Sequence, residues 1–169
     1  HWRINMILER IKQGYRNIPR KFGVHGSISL NHESIGGKVT IYTLESLWDT
    51  NKDEPAGIVG KSCVAPGIYE LHIEESPVTG REYPFLVNES LGVALKTKTT
   101  ATGRTGHCFS DIDLDDPTQI YGRFIMCGTS TKWRSKGFYL PQDQETAVSI
   151  LNTYIRESGD TSLRIRWRT

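Results

Sequence analysis

At 169 residues, with 37% hydrophobic and 24% charged content, the chain reads as one globular domain carrying at most a short appendage. A net charge of +2 is too small to argue for nucleic acid on its own, and no apolar run reaches the roughly 18 residues of a membrane-spanning helix. Cys63, Cys108 and Cys127 form an odd set without C-x-x-C spacing, which points to a reduced, cytosolic or virion-like setting rather than a disulfide framework.

Ile4, Ile7, Leu8, Ile11 and Tyr15 recur at helical spacing within a basic segment, with Gly14 able to end the helix, predicting an amphipathic N-terminal helix. One narrow apolar stripe on a basic helix suggests docking, so Ile4, Ile7, Leu8, Arg10, Ile11 and Lys12 are the candidate binding residues. Residues 16–26, with Pro19, Gly23 and Gly26, read as a connector. Residues 27–30 and 38–44 are expected to form a hairpin around Gly36-Gly37. A charged loop follows around Asp49–Pro55, then strands near 60–64, 68–74, 84–88, 92–96 and 120–127. In the stretch Val64-Ala-Pro-Gly-Ile-Tyr-Glu-Leu71, Ala65–Ile68 reads as a type II turn. Beyond it, Tyr69, Leu71 and Ile73 alternate against Ile68, Glu70 and His72. Residues 97–118 are expected to be a long loop, the place where function is first sought. Ala147, Ile150, Leu151, Tyr154 and Ile155 give the clearest helix, ending at Ser158-Gly159. Leu163, Ile165 and Trp167 face inward on a last strand whose Arg164, Arg166 and Arg168 face outward, read as charge that protects a sheet edge.

Only Gly106-His107-Cys108 brings a thiol and an imidazole together in a predicted loop. A thiolate nucleophile needs a base or cation to lower its pKa, and adjacent residues on extended backbone point apart. His25, His32 or His72 would have to serve instead of His107. Asp111, Asp113, Asp115 and Asp116 open like a calcium loop, but Asp116 stands where glycine is needed and Gly122 where glutamate is needed. Histidines without H-x-x-x-H spacing argue against zinc, and no phosphate-binding glycine motif occurs. Cys63 and Cys127 read as small hydrophobes in strands. Trp133, Arg134 and Lys136 beside the arginine ladder allow a nucleic-acid reading, which is not favoured.

Thr43-Leu44-Glu45, then Val64–Leu71, then Phe124-Ile-Met-Cys-Gly128 before a helix and a closing strand resemble an uncharacterised family of small phage and bacterial domains. That family is similar to the L,D-transpeptidase catalytic domain, a mainly β fold acting on peptidoglycan peptides. The resemblance covers about residues 27–168. It implies that the family's cysteine position is Phe124, the preceding glycine Arg123 and the histidine Lys96, none of which can do the family's chemistry. On a shifted alignment, Cys108 would stand in as the nucleophile.

The expected fold is therefore α+β, mainly β: a compact L,D-transpeptidase-like domain over residues 27–169 with one late helix, preceded by a basic docking arm over residues 1–26. The expected function is a non-catalytic structural or binding module, such as a bacteriophage tail or baseplate component, whose partners are other protein subunits of an assembly. The competing expectation is a cysteine-dependent enzyme on cell-wall peptides using Cys108 with His107, which would make peptidoglycan a partner. No cofactor and no metal are expected. The given chain shows no signal peptide, and a place in the virion, or in the host cytoplasm during assembly, is expected.

Overall fold

The computed structural model describes residues 4–11, 23–95, 104–112, 122–134 and 138–169. Apolar residues recur with period two along most of these segments, and the outcome is a closed eight-stranded barrel with one helix. Its strands are β1 (Met6–Arg10), β2 (Val24–His32), β3 (Gly37–Glu45), β4 (Gly67–Glu75), β5 (Glu82–Val87), β8 (Cys108–Ser110), β9 (Phe124–Gly128) and β12 (Ser162–Trp167). Around the ring the order is β1, β12, β4, β5, β8, β9, β3, β2. Two small sheets stand beside it, one of β6 (Val93–Ala94) with β7 (Arg104–Thr105), the other a hairpin of β10 (Ser130–Arg134) with β11 (Phe138–Gln142). The helix is α1 (Gln144–Ser158). A mainly β fold with one late helix is thus what forms.

The N-terminal segment is a correction. Residues 6–10 are a strand that runs parallel to β12 (Met6 opposite Leu163 through Arg10 opposite Trp167) and antiparallel to β2. Met6, Leu8 and Arg10 are buried while Ile7 and Glu9 are half-buried, a period of two rather than 3.6. The helical stripe was a coincidence of isoleucine placement. Tertiary pairing with the last strand overrides it, as it routinely overrides local preference. Leu8 and Arg10 are consequently interior residues, Ile4, Ile7 and Ile11 are half-buried, and Lys12 lies outside the described residues. Residues 4–11 and 23–26 thus belong to the barrel domain itself, not to an arm beside it.

Alternation decides the rest. The β2–β3 hairpin forms as expected, across a short 3-10 turn at Glu33–Ile35 followed by Gly36. Tyr69 and Leu71 face inward on β4. Residues 60–64 are turn and irregular chain rather than a strand, so Cys63 is buried in a loop. Gly67 sits at φ +155°, not near the roughly +80° a type II turn requires. That φ strains any L side chain, and a Cβ there would also press on Leu91 Cδ1 at 2.7 Å. Within the expected long loop, Cys108–Ser110 is barrel wall, bridging β5 and parallel β9. The closing strand is not an edge either: β12 pairs with β1 on one side and β4 on the other, and Arg166 lies 3.5 Å from Glu9.

Helix α1 covers one end of the barrel. Its buried stripe of Ala147, Val148, Leu151, Tyr154 and Ile155 joins the barrel interior formed by Met6, Leu8, Ile28, Ile41, Leu71, Leu86, Phe109, Ile125 and Leu163. Gly159 ends it in the left-handed conformation. A second, smaller apolar cluster lies outside the wall, where Leu44, Phe124 and Met126 are covered by Leu140 of the β10–β11 hairpin. Among the described residues no helix is long and apolar enough to cross a membrane.

Because β1 closes the ring, truncating its core residue should weaken the whole domain. Leu8→Ala is expected to lower unfolding stability by about 2–5 kcal/mol in a denaturant titration. Deleting residues 1–11 should abolish cooperative unfolding, whereas a detachable arm would leave the transition unchanged.

Candidate functional site

The barrel end opposite α1 is closed by charge rather than by hydrocarbon. Arg10 is fully buried, and its Nε and Nη2 donate to the two carboxylate oxygens of Glu45, each at 2.8 Å. Nη2 also donates to the Val64 carbonyl at 2.8 Å, and the guanidinium lies 5.5 Å from the centroid of the Trp167 ring. One strand, β2, separates these partners, with Gly26 standing between β1 and β3 in the row Arg10–Gly26–Thr43. A Cβ on Gly26 would sit 2.8 Å from both Glu9 O and Thr43 Oγ1. Glycine is needed there for side chains to cross the row. Burial alone would lower the Arg10 pKa, but the Glu45 carboxylate outweighs it and holds the guanidinium charged.

Arg104 completes this end. Its Nη1 donates to the carbonyls of Ser62 and Gly122, both at 2.9 Å, and Nη2 to Ile58 at 3.4 Å. Tyr69 donates its hydroxyl to the Ala65 carbonyl at 2.6 Å. Two stretches singled out in the sequence therefore meet here: Glu45 from Thr43-Leu44-Glu45, and Val64, Ala65 and Tyr69 from the turn and strand. They serve as architecture around Arg10. No sequence motif marked Arg10 or Arg104; the available signal was Arg10 standing at an inward position of an alternating Met6, Leu8, Arg10 run.

The predicted catalytic pair is separated. His107 turns into the barrel and is buried, whereas Cys108 shares the outer face with its cross-strand partners Phe85 and Phe124. Burial pushes His107 down to about 3, and the charges of Arg104 and Arg10 act in the same direction against a weak opposing pull from the Gly122 backbone. Burial, with Asp111 adding to it, pushes the Cys108 thiol up to about 12. The nearest histidine along its own row is His72, opposite Phe85 on β4. Two strand spacings put it about 10 Å away, beyond hydrogen-bond reach. His72 pairs with Glu70 at 3.5 Å instead. His25 is covered by the hairpin, its Nε2 2.8 Å from the Tyr139 carbonyl, and His32 caps the 3-10 turn at Ser34. Among the described residues no histidine stands in reach of Cys108.

Cys63, Cys108 and Cys127 are free thiols. Burial pushes Cys63 up to about 12 and raises Cys127 as well, so both behave as packing groups. Phe124 packs in the outer apolar cluster, and Lys96 lies outside the described residues. Asp113, Asp115 and Asp116 also lie outside them. Asp111 is used locally, accepting from Tyr83 at 2.8 Å and Arg81 at 3.0 Å. Among the described residues no group of three His, Cys, Asp or Glu could hold a metal. Among the described residues the most exposed aromatic groups are Trp133 and Tyr139, 56% and 46% exposed, which face each other across the β10–β11 hairpin with ring centroids 4.9 Å apart.

Two outcomes test the closed end. Glu45→Ala leaves Arg10 charged and unpaired, and should cost about 3–5 kcal/mol of unfolding stability. His107 stays neutral in the folded protein while its unfolded counterpart takes a proton, so its contribution is intact above pH 6.5 and lost as the pH falls from 6.5 toward 3. Thermal melts of His107→Leu should therefore fall less steeply across that window than those of the unaltered protein. No protein-family model, curated protein or solved structure matches this chain.

Proposed function

We propose that this chain is a non-catalytic structural or binding module that docks on neighbouring protein subunits of an assembly, in the manner of a bacteriophage tail or baseplate component. The observation that carries the reading is the placement of Cys108: a thiol in the barrel wall, pushed up to about 12, with no imidazole of the described residues in reach. Thiol catalysis needs the opposite, a partly exposed thiolate beside a base. The virion setting rests on the resemblance to small phage domains.

The docking role assigned to the N-terminal segment passes to the β10–β11 hairpin. Met6, Leu8 and Arg10 are spent inside the barrel, while Trp133 and Tyr139 stand in solvent on a hairpin anchored through Leu140. Tryptophan and tyrosine are the side chains that dominate binding energy at protein interfaces, and an exposed pair needs no refolding to be used.

The double variant Trp133→Ala, Tyr139→Ala should keep the melting temperature, since both rings are exposed, yet reduce incorporation into purified particles by roughly tenfold or more. Immunoblotting of gradient-purified particles measures this, with Cys108→Ser as a variant expected to incorporate normally. Release or exchange of peptides from muropeptides that disappears in Cys108→Ser would overturn the reading, as would undiminished incorporation of the double variant.

A further inference from the structure

The β10–β11 hairpin forms a two-stranded sheet of its own outside the barrel ladder. Leu140 fastens it to the outer cluster of Leu44, Phe124 and Met126, and Gly128 lies so close that an added Cβ would meet the Gln142 carbonyl oxygen at 2.3 Å. A histidine adds a polar tie. His25 of β2 sits beneath the hairpin, its Nε2 2.8 Å from the Tyr139 carbonyl and its ring edge-on to the Tyr139 ring at 6.4 Å. A two-stranded hairpin is marginal in water by itself, so its ladder lasts only while it stays docked.

A carbonyl can only accept, so Nε2 carries the proton of the neutral ring and Nδ1 keeps a bare lone pair. Nδ1 is buried and has no hydrogen-bond partner among the described residues. A second proton would therefore place a charge and an unmet N–H donor beneath the hairpin, and releasing the hairpin hands both to water. The surroundings offer little to offset this. On β3, Leu44 stands opposite His25 and Tyr42 lies two residues along the same face. On the other side β1 brings Ile11, whose N–H donates to the His25 carbonyl, and Glu9, which is opposite Ser27 and faces Arg166 of β12 at 3.5 Å. The hairpin brings Tyr139 and, opposite Leu140, the exposed Lys132. Burial lowers the His25 pKa against a smaller opposing pull from the Tyr139 carbonyl, and no charged side chain of the described residues adds to either.

We propose that His25 is an acid-sensitive latch: neutral, it holds the β10–β11 hairpin on the barrel, and protonated, it releases the hairpin and with it the fixed placement of Trp133 and Tyr139. Once the hairpin has left, His25 titrates near its ordinary 6.5, above its value in the docked form. Docking of the hairpin is therefore at full strength above pH 6.5 and weakens as the pH falls below it. That the latch governs binding to other subunits rests on the function proposed above, whereas the latch itself belongs to the free chain.

Hydrogen exchange of the free full chain, corrected for the intrinsic rate at each pH, is the test. The β10–β11 amides should open more readily than those of β2 and β3, and their opening constant should rise by up to about tenfold between about pH 7.5 and 5.5. In His25→Gln, which keeps a donor for the Tyr139 carbonyl but takes no proton, that rise should vanish. The comparison between the two pH values needs no variant, so it decides even where His25→Gln fails to fold. Equal opening of the hairpin at both pH values overturns the proposal, as does a rise that persists in His25→Gln. Hairpin amides that open only together with those of β2 and β3 overturn it too. The particle experiment with the Trp133 and Tyr139 variant tests docking, and exchange in the free chain tests the latch, so the two fail separately.

Discussion

The parallel pairing of β1 with β12 is the constraint on which everything else depends. It joins residues 6–10 to residues 163–167, nearly the whole chain apart, and without it the sheet would be open with two edges. Closure removes those edges, which proteins otherwise have to protect. It also turns one face of every strand into an interior, and thereby fixes which residues must be apolar. The alternation of Met6 and Leu8, of Tyr69 and Leu71, and of Leu163 and Ile165 then follows from a single ring rather than from separate local preferences.

A ring has two ends, and this one closes them by different physics. At one end α1 supplies hydrocarbon, so closure there is hydrophobic and tolerant of small shifts. At the other end Arg10 and Glu45 are paired with bidentate geometry and both are removed from water. Such a pair adds little net stability over a well-packed apolar substitute, but it is strict about register. Slipping β1 by one residue would bring Arg10 to the outer face and leave Glu45 unpaired. The ion pair therefore acts as a register pin for the strand that closes the ring. This also accounts for Gly26, because only an absent side chain lets two interior groups meet across β2.

Much of the fold was legible because its signals are local. The β2–β3 hairpin, β4, α1 with its Gly159 terminus and the inward face of β12 each declare themselves within a dozen residues. What escaped was set at long range. Residues 4–11 satisfy a helical period and a strand period together, and only the distant β12 decides between them. β8 is three residues long and carries no stretch in which alternation could be recognised. The polar closed end was invisible for the same reason: Arg10, Glu45, Arg104 and His107 are scattered along the sequence and assemble only when the ring forms.

That assembly also determines what the sequence motif can mean. His107 and Cys108 are neighbours in sequence, and in a barrel wall this neighbourhood is what separates them, because successive side chains lie on opposite faces. One enters a dry, positively charged interior that keeps it neutral, and the other enters the outer surface beside Phe85 and Phe124. A base and a nucleophile divided by the sheet cannot exchange a proton. To restore chemistry, a variant would have to place a histidine at Phe85 or Phe124, on the same face as Cys108 and one strand away, roughly 5 Å by ordinary spacing. The wall already carries the thiol. What it lacks is a partner on the thiol's own side, and in both adjacent strands that position is held by a phenyl ring.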